Sequence, residues 1–390
     1  MGAPNPTREG SGDHLPLDLR ATGEVGSDTV TRLLKLLFCG DLSSVAYAGW
    51  QRSEILRELG FEVSAFDFAS YSLFGLPTRL KKKIRGSRFE FPGKAVRFFN
   101  AEFLNRIAAT QPAIVWAEKA LLLLPETLAE AKRILPDGVF VCCQEDNPFG
   151  RRRDEVPTWR NFVQSIPLYD LHCVKANGAI DHYKDRGAKR VLIISQGFFP
   201  PIHHPIDAAE IPPQFRHDTV FVGTPHDHRA ASLAHLMERE RVPVEIYGGR
   251  WNRHAIYYRH RHRFHGPAVG RAYAQVISGS KICLGYVSRS NFDESTVRSA
   301  EIPACGGFFL AERTLKHQEM YDEGKEAEFF GSDAECADKI RFYLRNEDAR
   351  RKIASAGYER CLKSDYSLKR YMREAMQEVL DLRGSPAARH

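Results

Sequence analysis

Residues 32–68, "RLLKLLFCGDLSSVAYAGWQRSEILRELGFEVSAFDF", set the architecture expected of the whole chain. Residues 32–41 are a short apolar run ending in Gly-Asp, the pattern of a strand buried on both faces of a parallel sheet. Residues 47–60 place apolar side chains at helical spacing and stop at Gly60, a residue suited to the turn that ends helices. Residues 61–68 read as the next strand. The segment is therefore a β-α-β unit with a loop at the carboxyl end of its first strand.

The alternation continues outward. "PAIVWAEKA", "GVFVCCQED", "YDLHCVKA" and "AKRVLIIS" read as strands, separated by the helical patterns "EFLNRIAATQ", "PETLAEAKRIL", "TWRNFVQSI" and "GAIDHYKDRG". Strands and helices joined by short turns predict a parallel sheet wound by helices. The pattern breaks at 196–217, which holds five prolines and no periodicity. It then restarts with the strands "DTVFVGT", "PVEIYGGRW", "KICLGYV" and "GFFLAE" between further helices, and ends in a long helix. The expected organisation is a disordered tail over 1–30, a first Rossmann-like domain over 31–200, a linker over 201–217, a second over 218–365, and a C-terminal helix over 366–390 packing back on the first. In such sheets ligands sit beyond the carboxyl ends of the strands, so two facing sheets make a cleft.

Composition narrows the function classes. The chain has 390 residues, 43% hydrophobic and 27% charged, which suits a soluble protein of two ordinary domains. No apolar run is long enough to span a membrane, and no secretory signal is apparent at the N-terminus. Eight cysteines lack metal-ligand spacing, and Cys142 and Cys143 read as strand filling on opposite faces. A reducing, cytoplasmic setting is expected. The net charge of +7 favours anionic ligands or surfaces. Basic runs at 79–88, 151–153 and 259–265 are either solvated faces or contacts to an anionic membrane, a charged glycan or nucleic acid.

Candidate site residues fall at the ends of the second domain's strands. Gly223 and Thr224, then Arg229, follow the first; Gly248, Gly249, Arg250 and Trp251 follow the second. Glycines admit close backbone approach, Arg and helix N-termini attract phosphate, and Trp stacks on a base. "DESTVRSAEIPACGGFFLAE", 293–312, is the sharpest element. Arg298 and Glu301 share a helix face, Asp293 precedes Glu301 with seven residues between, and Gly306 and Gly307 follow. A carboxylate here can accept ribose hydroxyls while Arg and backbone donors meet a diphosphate. The plain alternative is a surface Arg298–Glu301 ion pair with Asp293 as a helix N-terminal charge.

This second half resembles the GT-B glycosyltransferases, and within them the CgeB-like or "glycosyl transferase family 1" branch. The resemblance lies in "DTVFVGTPHDHR", "VEIYGGRW", "YAQVISGSKICLGY", the 293–312 stretch and "EFFGSDAECADKIRFYLRNEDARRKIASAGYERCL"; the first half matches more loosely through "LFCGD" and "CQEDNPF". It implies two facing Rossmann-like domains and a nucleoside-diphosphate sugar, UDP- or GDP-linked, held mainly by the second. The family's acid-x7-acid motif falls on Asp293 and Glu301, where the first acid is usually Glu. Glu301 would bind ribose, Asp293 would lie near the donor sugar, and Arg229 and Arg298 near the diphosphate. The resemblance further implies retention of configuration and metal independence. A base for inversion, if one is needed, would be Asp146 or His172. A glycan or lipid-linked glycan acceptor ranks above nucleic acid, with peripheral contact to the inner face of an anionic membrane. The competing readings are a nucleotide-sugar epimerase and a non-catalytic binding protein on the same fold.

Overall fold

A computed structural model of the chain describes residues 33–71, 93–150, 156–175 and 179–384. The expected tail and the basic runs at 79–88 and 151–153 lie outside the described residues. The first sheet comprises β1 (Lys35–Gly40), β2 (Glu62–Asp67), β3 (Ile114–Glu118), β4 (Val139–Gln144), β5 (Leu171–Val174) and β6 (Val191–Ile193), in the order β2-β1-β3-β4-β5-β6. The second comprises β7 (His217–Val222), β8 (Glu245–Tyr247), β9 (Phe264–His265), β10 (Ser280–Gly285), β11 (Phe309–Glu312) and β12 (Glu328–Phe330), in the order β12-β11-β10-β7-β8-β9. Every pairing is parallel. The strand order reverses between β1 and β3 in one sheet and between β7 and β10 in the other. Loops diverge at such points and leave a crevice.

Core packing follows from the period-2 alternation of each strand. In β1, Leu37 and Cys39 face one core with Phe99, Phe103 and Phe162, whereas Leu36 and Phe38 face another with Trp116. Cys142 and Cys143 divide the same way, one to each face. All eight cysteines are buried and none forms a disulfide. Both faces of β4 are covered, which accounts for its unbroken apolar run.

The chain crosses between sheets twice, and the crossings pair with each other. Phe198 N donates to Tyr366 O (3.0 Å), and Leu368 N donates to Phe198 O (2.8 Å). Gly197 permits this approach, because a Cβ there would lie 2.4 Å from Leu368 N. The last helix, Leu368–Gly384, then lays Leu368, Met372, Met376 and Val379 on the first sheet. Among the described residues no helix is long and apolar enough to cross a membrane.

Two strands were not anticipated from the sequence. β9 is two residues inside "RHRHRFH", where charged neighbours hide the pattern, and β12 is a three-residue edge strand. The basic run itself is largely neutralised: Arg263 and His265 meet Glu245, and Arg259 and His260 meet Glu238.

Candidate active site

The helix Arg298–Ala304 delivers Arg298 and Glu301 to the cleft. It has only seven residues, with Pro303 inside, and it ends in a turn: Gly306 N donates to Pro303 O (2.8 Å) and Gly307 N to Ile302 O (3.0 Å). Gly306 has φ +72° beside Pro205, and a Cβ on Gly307 would lie 2.7 Å from Ile277. These glycines thus shape the turn into β11. Arg298, first in the helix, carries the positive charge that the sequence reading gave to the helix end.

Arg298 Nη1 is bonded to Glu301 Oε2, and Arg298 Nε donates to Val222 O at 3.1 Å. Its guanidinium lies 4.7 Å from the centre of the Tyr273 ring. The pair is not a surface one, since Glu301 is 6% exposed. Burial pushes the Glu301 carboxyl up, but Arg298 and then His203 outweigh it and hold it below the ordinary carboxylate range. His203, from the crossover between domains, sets Nε2 3.4 Å from Glu301 Oε1. Its Nδ1 accepts the Phe199 N–H at 2.9 Å. Burial pushes this imidazole below its usual value, so the neutral ring carries its proton on Nε2, facing Glu301.

Arg229 opens the helix Arg229–Glu238 at the reversal point of the second sheet. Nη1 donates to Thr224 O (3.3 Å) and Nη2 to Tyr286 O (3.1 Å), carbonyls just past β7 and β10. Its Nε is buried with no hydrogen-bond partner. Burial lowers its pKa, and Arg298 nearby lowers it further against Asp227 and Asp293. Two guanidinium groups therefore share this corner, with only one of them ion-paired to Glu301. Gly223 and Gly248 pack on each other: a Cβ on Gly248 would fall 2.0 Å from Gly223 O. Trp251 is 2% exposed and donates its indole N–H to Gly223 O at 3.0 Å. It is a core residue that fixes the loop, with no face left for stacking on a base.

Asp293 is engaged on both oxygens. Oδ2 lies 2.9 Å from Lys175 Nζ of the first domain, and Oδ1 accepts from Asn291 Nδ2 at 2.8 Å. Asp146, past β4, meets Lys119 Nζ at 3.1 Å. His172 is fully buried, its Nε2 bonded to Ile166 O at 2.8 Å and its pKa pushed down to about 4 by burial. It lies in the core and has no access to the cleft.

The first domain contributes a buried charge network at its own reversal point. Arg52 holds Glu118 at 2.9 Å and Glu145 at 2.6 Å, and Trp116 donates to Glu118 at 2.9 Å. Burial acts to raise the Glu145 carboxyl, but Arg52 and Lys119 hold it down at about 2. A cavity of about 540 Å³ joins this network to the second domain; Asp41, Lys119, Glu145, Gln196, Arg298 and Glu301 are among its lining residues. A second cavity of about 770 Å³ runs between Lys175 and Ser195 on one side and Arg289, Phe292 and Glu294 on the other. Arg229, Thr224 and the strand-end glycines line neither. Among the described residues no group of three His, Cys, Asp or Glu is placed to hold a metal ion.

Sequence reasoning brought Arg229, Arg298 and Glu301 together but missed His203, Lys175 and the Arg52 network. Lys175 could have been found, because it lies at the carboxyl end of the predicted strand "YDLHCVKA". His203 sits in a proline-rich crossover without a local pattern.

Residues 229–377 match a family model described as glycosyl transferase-like. No curated protein matches the chain significantly. Among solved structures, a sucrose-phosphate synthase from Thermosynechococcus elongatus superposes with TM-score 0.62 at 13% identity, over 90% of this chain and 99% of its own. Anabaena HepE in complex with UDP-glucose gives 0.61 at 14% identity, over 89% and 99%. An E. coli structure described as trehalose-6-phosphate bound with UDP-2-fluoro glucose gives 0.60 at 10% identity, over 91% and 99%. With two parallel six-stranded sheets the chain has the GT-B fold of these structures, and residues 229–377 of it match the glycosyl transferase-like model.

Proposed function

We propose that the protein transfers a sugar from a UDP-linked donor to a hydroxyl acceptor on a glycan or lipid-linked glycan, with retention and without a metal ion, as in the CgeB-like branch it resembles. The observation that carries this reading is the convergence of Arg229, Arg298 and Glu301 at the reversal point of the second sheet. UDP is the first donor nucleotide to test because HepE was solved with UDP-glucose and UDP.

In the reaction, the acceptor oxygen attacks the anomeric carbon and the bond from that carbon to the diphosphate breaks. The electron pair leaves with the diphosphate, which takes on charge in the transition state. Arg229 supplies unpaired positive charge to it, and Arg298 supplies a second cation steered by Glu301. Glu301, ionised at neutral pH, keeps acceptor capacity for the ribose hydroxyls. The acceptor proton goes to the departing phosphate oxygen in the retaining course. In an inverting course Asp146 is the remaining base candidate, given the burial of His172.

A thermal-shift series with UDP, GDP, dTDP, ADP and CMP tests the donor. A ligand that binds only the native state raises Tm by mass action, about 2.7 kcal/mol at a hundredfold excess over Kd. UDP is expected to stabilise the wild type and not Glu301→Ala. Stabilisation by GDP alone would change the donor class; none at millimolar concentration would overturn the reading. Release of UDP from UDP-glucose, with and without chelator, separates a transferase from a non-catalytic binding protein and tests the metal independence.

A further inference from the structure

The carboxyl ends of the two sheets meet at one buried ion pair. Lys175 follows β5 in the first domain, Asp293 lies in the loop after β10 in the second, and their side chains are 10% and 6% exposed. The contact is reinforced through one amide. Asn291 Nδ2 donates to Asp293 Oδ1 at 2.8 Å, and Asn291 Oδ1 accepts the Asn147 backbone N–H at 2.6 Å. The first domain therefore grips one carboxylate directly through Lys175 and indirectly through Asn147. Asp293 N also donates to Ser288 O at 2.9 Å, which ties the carboxylate's own backbone to its loop.

Burying both charges carries a desolvation penalty of several kcal/mol per ion, offset only by close geometry and additional hydrogen bonds. A pair of this kind defines a conformation more than it adds net stability. This one exists only while the domains stand at their present separation, since moving them apart returns both charges to water. It also lies in the wall of the larger cavity, beside Glu294 and Ser295.

We propose that Lys175 is a positioning residue of the transfer site: it holds Asp293, the first acid of the acid-x7-acid spacing, in place across the cleft and so sets the separation of the domains over the donor. The inference rests on the transferase reading above.

The test uses full-length Lys175→Met, Lys175→Arg, Asp293→Asn and the Lys175→Met/Asp293→Asn pair. Lys316→Met is the control, a cation of the same cavity whose ion pair is with Glu319 on its own helix. Melting without substrate forms a double-mutant cycle: each single change lowers Tm by a few degrees, and the pair lowers it no further than the worse single. With UDP-sugar as donor, Lys175→Met lowers kcat at least roughly tenfold with little change in donor KM. Lys175→Arg recovers most of it, and Lys316→Met behaves as wild type. Additive melting shifts overturn the bridge. Coupled melting with unchanged kcat reduces the pair to a structural contact and overturns the positioning role. A wild type that turns over no sugar nucleotide removes the transferase reading and this role with it, a result separable from the melting cycle, which needs no substrate.

Discussion

Glu301 joins a buried charge network to the ribose-binding role proposed for it. Its folded carboxyl is depressed because Arg298 and His203 outweigh burial. A depressed carboxyl contributes stability above its unfolded value, about 4.3, and loses it as pH falls through the folded value. Glu301→Gln is therefore expected to be less stable than wild type at pH 7, with the gap narrowing below about pH 4.3, as read by urea denaturation across that range. A gap of constant size would show that the charge is not what matters. Arg52 makes the same point in the first domain. Arg52→Met leaves Glu118 and Glu145 buried without their cation, and a loss of about 3–5 kcal/mol is expected. A loss below about 1 kcal/mol would mean that water reaches both carboxylates, in the manner of an exposed pair.

At the scale of elements, the crossovers decide whether the two sheets act as one molecule. The last helix starts in the second domain's crossover and buries Met372 and Met376 completely on the first sheet. Met376→Ala is expected to cost about 2–5 kcal/mol in denaturant unfolding, because a methionine-sized void in a packed core cannot fully collapse. Long strands were legible because both faces are buried: β1, β3 and β4 are unbroken apolar runs. β9 and β12 were not, because two or three residues among charges carry no period. The helix carrying Arg298 and Glu301 was legible in place, and it ends at Ala304 just after its internal proline. Trp251 is buried, and Gly248 and Gly307 abut Gly223 and Ile277, and here sequence reasoning has a physical limit. A glycine that admits a ligand and one that admits a neighbouring strand look alike until the neighbour is known.

Across the whole molecule, the site is made by parts that are far apart in sequence. Lys175 meets Asp293, and His203 meets Glu301, because two sheets point their carboxyl ends at one another, a relation that local spacing does not encode. The net charge of +7 carries no information on where a cationic site would lie. The described basic run is matched by Glu238 and Glu245, while Arg229, with its Nε unpartnered, lies at the reversal point of the second sheet. The central claim, that this corner holds a nucleoside diphosphate, is tested most directly by titration calorimetry with UDP on wild type, Arg229→Met and Glu301→Gln. The account predicts one site per chain in the wild type and affinity at least roughly tenfold weaker in each variant, about 1.4 kcal/mol per interaction removed. Binding of equal strength in all three proteins, or no binding in the wild type at millimolar UDP, would contradict it.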